Sequence, residues 1–234
     1  MTIYTAASQA ISRLISRKLP SVVASQEEIA VEITSLAWEA AVDIAKSHDW
    51  QAITEYTEIE GNGTDTEFPL PTDYDRMLMA SELFDPNTWA WNYWHITDYS
   101  AWVFQTSRGM TITPGAWMIR KNKFHFSPAP AADQKATFAY IGKNLFLSAG
   151  GTPQQDIIRD DDIFVLSERL LTLSLIWRWK QMKQMSYSED YDLYFNALSQ
   201  EAARDGGSRV ITGRSRNSFP GAVNAWPWPL GQSS

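Results

Sequence analysis

Residues 160–183 read DDDIFVLSERLLTLSLIWRWKQMK, and this stretch decides the fold. Leu166, Leu170, Leu173 and Trp177 fall on one helical stripe, and Ile163, Leu171, Leu175 and Trp179 on another. The helix predicted from about Ile163 is therefore apolar nearly all round and has to be surrounded. Its ends suit the helix macrodipole, with Asp160, Asp161 and Asp162 before it and Arg178, Lys180 and Lys183 closing it.

Helices to surround it are found on both sides. Ile3, Ala7, Ala10, Ile11, Leu14 and Ile15 recur at helical spacing and stop before Leu19-Pro20, where proline turns its predecessor away from helix. Ser25 followed by Glu28 reads as a capping box. Ile29, Ile33, Leu36, Ala37, Ala40 and Ile44 then mark one face of a second helix up to about Lys46. Downstream, Tyr191, Tyr194, Phe195, Leu198 and Ala202 share a face of a last helix, with Gly206-Gly207 as a left-handed stop.

From Trp50 to about Asn144 the period changes to short β-branched and aromatic runs between Gly, Asn, Asp and Pro breakers. Gly61-Asn62-Gly63 and Lys121-Asn122-Lys123 both read as hairpin turns. Trp89, Trp91 and Tyr93 alternate on one strand face, as do Ala136, Phe138 and Tyr140. The expected fold is α+β: a small helical bundle of two N-terminal helices (1–48) and two C-terminal helices (146–207), a β-rich insertion (49–145) and an extended tail (208–234).

Cysteine is absent from the 234 residues, which excludes disulfides, thiolate nucleophiles and Cys-based metal sites. The start, Met1-Thr2-Ile3-Tyr4, has no basic segment leading into an apolar one, so no signal peptide is expected. The longest apolar run, Leu170 to Trp177, is too short for a membrane span, and a soluble protein with no membrane partner follows. Net charge is −7, unlike a general nucleic-acid binder. Beyond Asp205 no acid occurs, so Arg209, Arg214 and Arg216 give the last 29 residues +3 and leave −10 for the rest. Isolated Phe219, Trp226, Trp228 and Leu230 on this basic, Pro-containing tail suggest a peptide that orders in a partner's groove.

Chemistry is sparse. His48, His95 and His125 lie apart and lack metal-ligand spacing; His48 suits a helix end and the others strand positions. No nucleophile elbow, phosphate loop or dinucleotide fingerprint occurs. Asp160–Asp162 would be the acid/base or cation-binding cluster of a hydrolase, but acids ahead of a helix are what its dipole favours. Asp49 beside Trp50 is a commonplace pairing. The cluster Trp89, Trp91, Tyr93, Trp94, Tyr99, Trp102, Phe104 and Trp117 fits a β-core or subunit interface. A platform for sugars or nucleobases is the alternative, although Lys and Arg are absent from Phe84 to Ser107. No catalytic residue, metal or cofactor is assigned.

The assembled pattern resembles the phage head-to-tail adaptor or connector proteins, which include the portal-binding tail accessory factors of short-tailed phages. The resemblance spans nearly the whole chain. It is carried by Asp49-Trp50 closing a helix and by Phe68-Pro69-Leu70-Pro71-Thr72-Asp73-Tyr74-Asp75-Arg76 entering the sheet. Phe124-His125-Phe126-Ser127-Pro128-Ala129-Pro130, Phe138-Ala139-Tyr140 and the helix from Leu166 to Leu173 running into Ile176-Trp177-Arg178-Trp179 complete it. It implies a non-enzymatic structural protein of the virion, placed at the head–tail junction and assembled in the host cytoplasm. Copies would form a ring, typically dodecameric, beneath the portal protein. The ring would extend the channel through which double-stranded DNA passes and would receive a downstream tail or neck protein (stopper, nozzle or tail hub).

On this reading Arg209, Arg214, Arg216, Phe219, Trp226, Trp228 and Leu230 dock onto the portal. Trp89, Trp91, Trp94, Trp102, Leu170, Leu173, Trp177 and Trp179 pack subunits together. The second functional reading is a glycan-binding or glycan-cleaving tail component built on the Trp-rich β region.

Overall fold

A computed structural model describes residues 2–78, 81–86, 92–109 and 115–206. The expected α+β architecture is what it shows. Helix α1 (Ile3–Ile15) opens on Thr2, whose side chain accepts from the Thr5 N–H, and stops at Ser16 in the left-handed region. Helix α2 (Glu28–Ser47) ends at His48, as expected. The Ser25 capping box does not form, because Glu27 is the capping residue and Ser25 Oγ accepts the Glu27 N–H instead.

Helix α4 (Glu168–Met182) begins five residues later than expected, because Ile163–Phe164 is strand β10 and pairs antiparallel with β8 (Phe146–Leu147), which also pairs with β9 (Pro153–Gln154). The acidic triplet therefore does not precede α4, and Asp160 and Asp162 are used elsewhere. The carbonyls of Asp162 and Asp160 accept the Ile3 and Tyr4 N–H groups at 2.7 and 3.0 Å, satisfying the open first turn of α1. The Asp160 carboxylate accepts from the Val22 and Val23 N–H groups at 3.0 and 2.8 Å and from the Ser21 hydroxyl, which ties the α1–α2 loop down. Asp162, buried, accepts from the Ile158 and Arg159 N–H groups at 2.7 and 2.8 Å.

Helix α5 (Ser188–Asp205) buries Tyr194 and Ala197, while Tyr191 and Phe195, expected on the inner face, are exposed. Gly206 has φ −76°, so it is not the left-handed stop the glycine pair suggested; Gly207 lies outside the described residues. The two-stripe helix is surrounded as required. Helices α1, α2 and α5 of the same chain pack on α4, and both stripes contribute Leu170, Leu171, Leu175 and Trp179 to the core. Arg178 bonds Glu39 at 2.8 Å and also Asp43, while Lys183 and the Trp179 indole N–H reach Glu32 at 2.6 and 2.9 Å, so α2 and α4 are laced along their rim.

The insertion holds two further sheets. β1 (Thr54–Glu60) and β3 (Tyr74–Met77) flank β7 (Lys135–Gly142) in one antiparallel sheet. The other runs β2 (Glu67–Pro69), β6 (Lys123–Ser127), β5 (Ala116–Arg120) and β4 (Trp94–His95), with β4 parallel to β5. The Lys121-Asn122 hairpin forms, both residues taking positive φ (50° and 57°), as the twist of a two-residue turn demands.

The Gly61 turn does not make a hairpin. β1 and β2 belong to different sheets, and the Gly61 and Gly63 N–H groups instead donate to Gln134 O and Pro130 O at 2.9 and 2.8 Å. A helix, α3 (Tyr99–Ser107), stands where only strands were expected, capped by Asp98, whose carboxylate accepts from the Ser100 and Ala101 N–H groups. The predicted alternation of Ala136, Phe138 and Tyr140 faces inward. These side chains meet Tyr93, Trp117, Phe124 and Phe126 in a second core, separate from the helical one.

A Cβ on Gly61 would lie 2.2 Å from the Ala131 carbonyl oxygen and 2.7 Å from that of Pro130. Gly61→Ala is accordingly expected to destabilise the fold by about 1–3 kcal/mol. Urea denaturation beside the parent chain checks this; an unchanged midpoint would show that the backbone here gives way freely.

Candidate assembly surfaces

Among the described residues, three groups of large apolar side chains that the cores leave outside stand out. The first is the outer face of α2. Val31 and Trp38, seven residues apart and so on one side of the helix, both point outward, Trp38 with 48% of its surface exposed. Trp38 stands between a groove of about 220 Å³ that includes Val42, Ala45 and Ile141 and another of about 370 Å³ that includes Val23, Val31 and Ile157. Sequence reading missed this face, although a Trp off the apolar stripe, with Val two turns before it, is a legible signal.

The second place is the turn joining α4 to α5. Trp177, Met185, Tyr187, Tyr191 and Asp192 line an open groove of about 590 Å³. The Trp177 and Tyr191 rings meet edge to face at 5.3 Å, Tyr187 lies 6.4 Å from Trp177, and Tyr191 stacks towards exposed Phe195. The rings are on the surface because α5 buries a narrow face, Tyr194 and Ala197, against the core.

The third is the β4 edge of the four-stranded sheet with α3, where Trp94 is 62% exposed and Tyr99 and Phe104 also face outward. The arginine-free stretch is not free of arginine in space. The Arg120 guanidinium lies 4.6 Å over Tyr99 and bonds its hydroxyl, and Arg108 lies 4.3 Å over Phe104.

The residues expected to pack subunits divide accordingly. Trp94 is open to a neighbour. Trp102 is buried with Ile96, Ala116 and Met118. Leu170 and Trp179 are buried in the helical core, and Leu173 and Trp177 pack partly buried against it, so α1, α2 and α5 supply the encirclement that a ring of neighbours was expected to give. Trp89 and Trp91, and the tail residues Arg209, Arg214, Arg216, Phe219, Trp226, Trp228 and Leu230, lie outside the described residues. Of the would-be aromatic platform, Tyr93, Trp102 and Trp117 are interior rings with no open face to offer a sugar.

Titratable groups fit a structural role. Burial, with the nearby Asp85 charge, pushes the Tyr93 hydroxyl up to about 12. Burial and a 2.9 Å bond to Asp73 raise that of Tyr140 as well. Burial lowers His95, whose ring stacks on Trp117 at 4.0 Å. His48, at the end of α2, sits 3.6 Å from Asp205, while Asp49 pairs with Arg76 at 2.8 Å. Among the described residues no three metal-ligating side chains cluster, and no helix is long and apolar enough to cross a membrane.

A family model described as SU10 adaptor protein matches residues 2–224. The chain belongs to that family. It is thus a phage head-to-tail adaptor, as the resemblance implied: a structural component of the virion that works among head and tail proteins. The match takes in the buried cores and the exposed surfaces of the adaptor described above. It continues through Arg209, Arg214, Arg216 and Phe219 of the tail, and its last residue is Asn224. No curated protein matches the adaptor.

Proposed function

We propose that copies of this adaptor form a ring, twelve-membered as is typical of such proteins, beneath the portal protein. The ring extends the DNA channel and presents its far side to the downstream tail or neck protein. The observation that carries the reading is the family match, which runs from Thr2 through the helices and the β insertion and on into the basic tail.

Two features support it. A ring interface is heterologous and needs two different surfaces on each subunit. The α2 face around Trp38 and the aromatic turn between α4 and α5 are two such surfaces, and Trp94 on the sheet-edge strand β4 is a further contact residue. The charge of −10 carried before Gly206 suits a lumen that repels phosphate and lets a duplex slide.

Residues 208–234 dock onto the portal in this reading, ordering as they bind. Deleting them is expected to leave the circular dichroism and melting of the body unchanged while abolishing attachment to portal-bearing capsids in a pull-down. Normal attachment of the truncated chain would remove the docking role.

A further inference from the structure

We propose that the groove at the α4–α5 turn is the seat of this chain's own segment Trp226-Pro227-Trp228-Pro229-Leu230, held there in the free subunit. The inference goes beyond portal docking and does not depend on it, since it concerns the subunit before any partner is present.

The lining defines the occupant. Trp177, Tyr187 and Tyr191 are set at angles to one another, with Met185 beside them. Grooves lined with angled aromatic rings take proline-rich segments, which are already extended in the left-handed polyproline form and lose little entropy on binding. The Trp-Pro alternation of 226–230 has that character, and its two indoles bring large apolar faces of their own. Charge agrees. Asp192 lines the groove and exposed Glu189 precedes it on α5, whereas no acid follows Asp205 and three arginines lie between α5 and the segment.

Reach agrees as well. The 18 residues of α5 separate the groove from the start of the tail by only about 27 Å at 1.5 Å per residue. The stretch from Gly206 to Trp226, extended, spans more than 60 Å, roughly. The segment can double back without strain. Tethered this closely it has an effective concentration on the order of millimolar, so even a weak contact is populated. The two grooves beside α2 are smaller and offer a single aromatic ring, Trp38, which makes them poorer matches.

The absence of native cysteine provides a clean test in the full-length chain. Ser188→Cys places a thiol at the groove, Gly231→Cys one at the end of the segment, and Glu60→Cys a control on the β insertion. Under mild oxidation of dilute protein, the S188C/G231C pair is expected to close within one chain at least ~10-fold faster than E60C/G231C, because the seated segment raises the effective concentration of position 231 at position 188. Adding Trp226→Ala and Trp228→Ala should remove the difference.

Equal rates for the two pairs would overturn the proposal, as would an advantage that survives loss of both tryptophans. A product joining two chains, with a rate that rises with protein concentration, would assign the groove to a neighbouring copy and overturn the same-chain seat. Portal protein is absent from the experiment, so failure here leaves the docking reading untouched.

Discussion

Phe138→Ala is expected to cost about 3–5 kcal/mol of folding free energy, the usual loss when a fully buried aromatic becomes a cavity. Phe138 sits on β7, the central strand of its sheet, with no exposed surface. Its ring meets Phe124 edge to face at 4.6 Å and lies 5.9 Å from Tyr140, so it bridges the two sheets of the β insertion. Neighbouring rings are too stiff to close over the void. For a chain of this size the loss corresponds to a fall in Tm of roughly 10 °C. Phe138→Leu, nearer in volume, should cost clearly less. Thermal and urea denaturation measure both; an alanine variant within about 1 kcal/mol of the parent would mean that the aromatic cluster is not the core of the insertion.

Asp160→Ala is expected to cost about 3 kcal/mol, because it removes charge-assisted bonds to Ser21, Val22 and Val23 and strands two backbone donors. The effect should depend on pH. Burial alone would raise the Asp160 pKa, but the bonds from Ser21, Val23 and Val22 together outweigh it and hold the carboxyl below the ordinary aspartate value. The contribution is therefore complete above about pH 4 and fades as pH falls through the lower folded value. Urea titrations at neutral pH and near pH 3 check this. The difference between parent and variant should narrow in acid, and a difference that stays constant would show that the carboxylate's charge is not what holds the loop.

Much of the helical architecture was legible because its signals are local. The 3.6-residue spacing of Ile3, Ala7 and Ile11 marked α1, and Leu170 with Leu171 announced that α4 is covered on two sides. The spacing did not say by what, nor that α5 would bury Tyr194 and Ala197 and leave Tyr187 and Tyr191 on the surface. Asp98 ahead of Ser100 and Ala101 could have signalled α3, but the surrounding tryptophans read equally well as strand. Both Gly- or Asn-containing turns hold residues of positive φ, yet only Lys121-Asn122 joins two strands that pair with each other. The other was taken over by hydrogen bonds to the Pro130–Gln134 segment.

By itself the sequence determined which faces must be buried, where most helices run, that no thiol chemistry is available and that residues 206–234 carry +3. The tertiary structure alone decided that β1 pairs with β7 and not β2, that the backbone carbonyls of Asp160 and Asp162 serve the first turn of α1, and which rings stay outside once the cores are full. The reason is physical: hydrophobic periodicity and charge record how a segment must face, whereas the choice of partner is settled by competition among surfaces far apart along the chain.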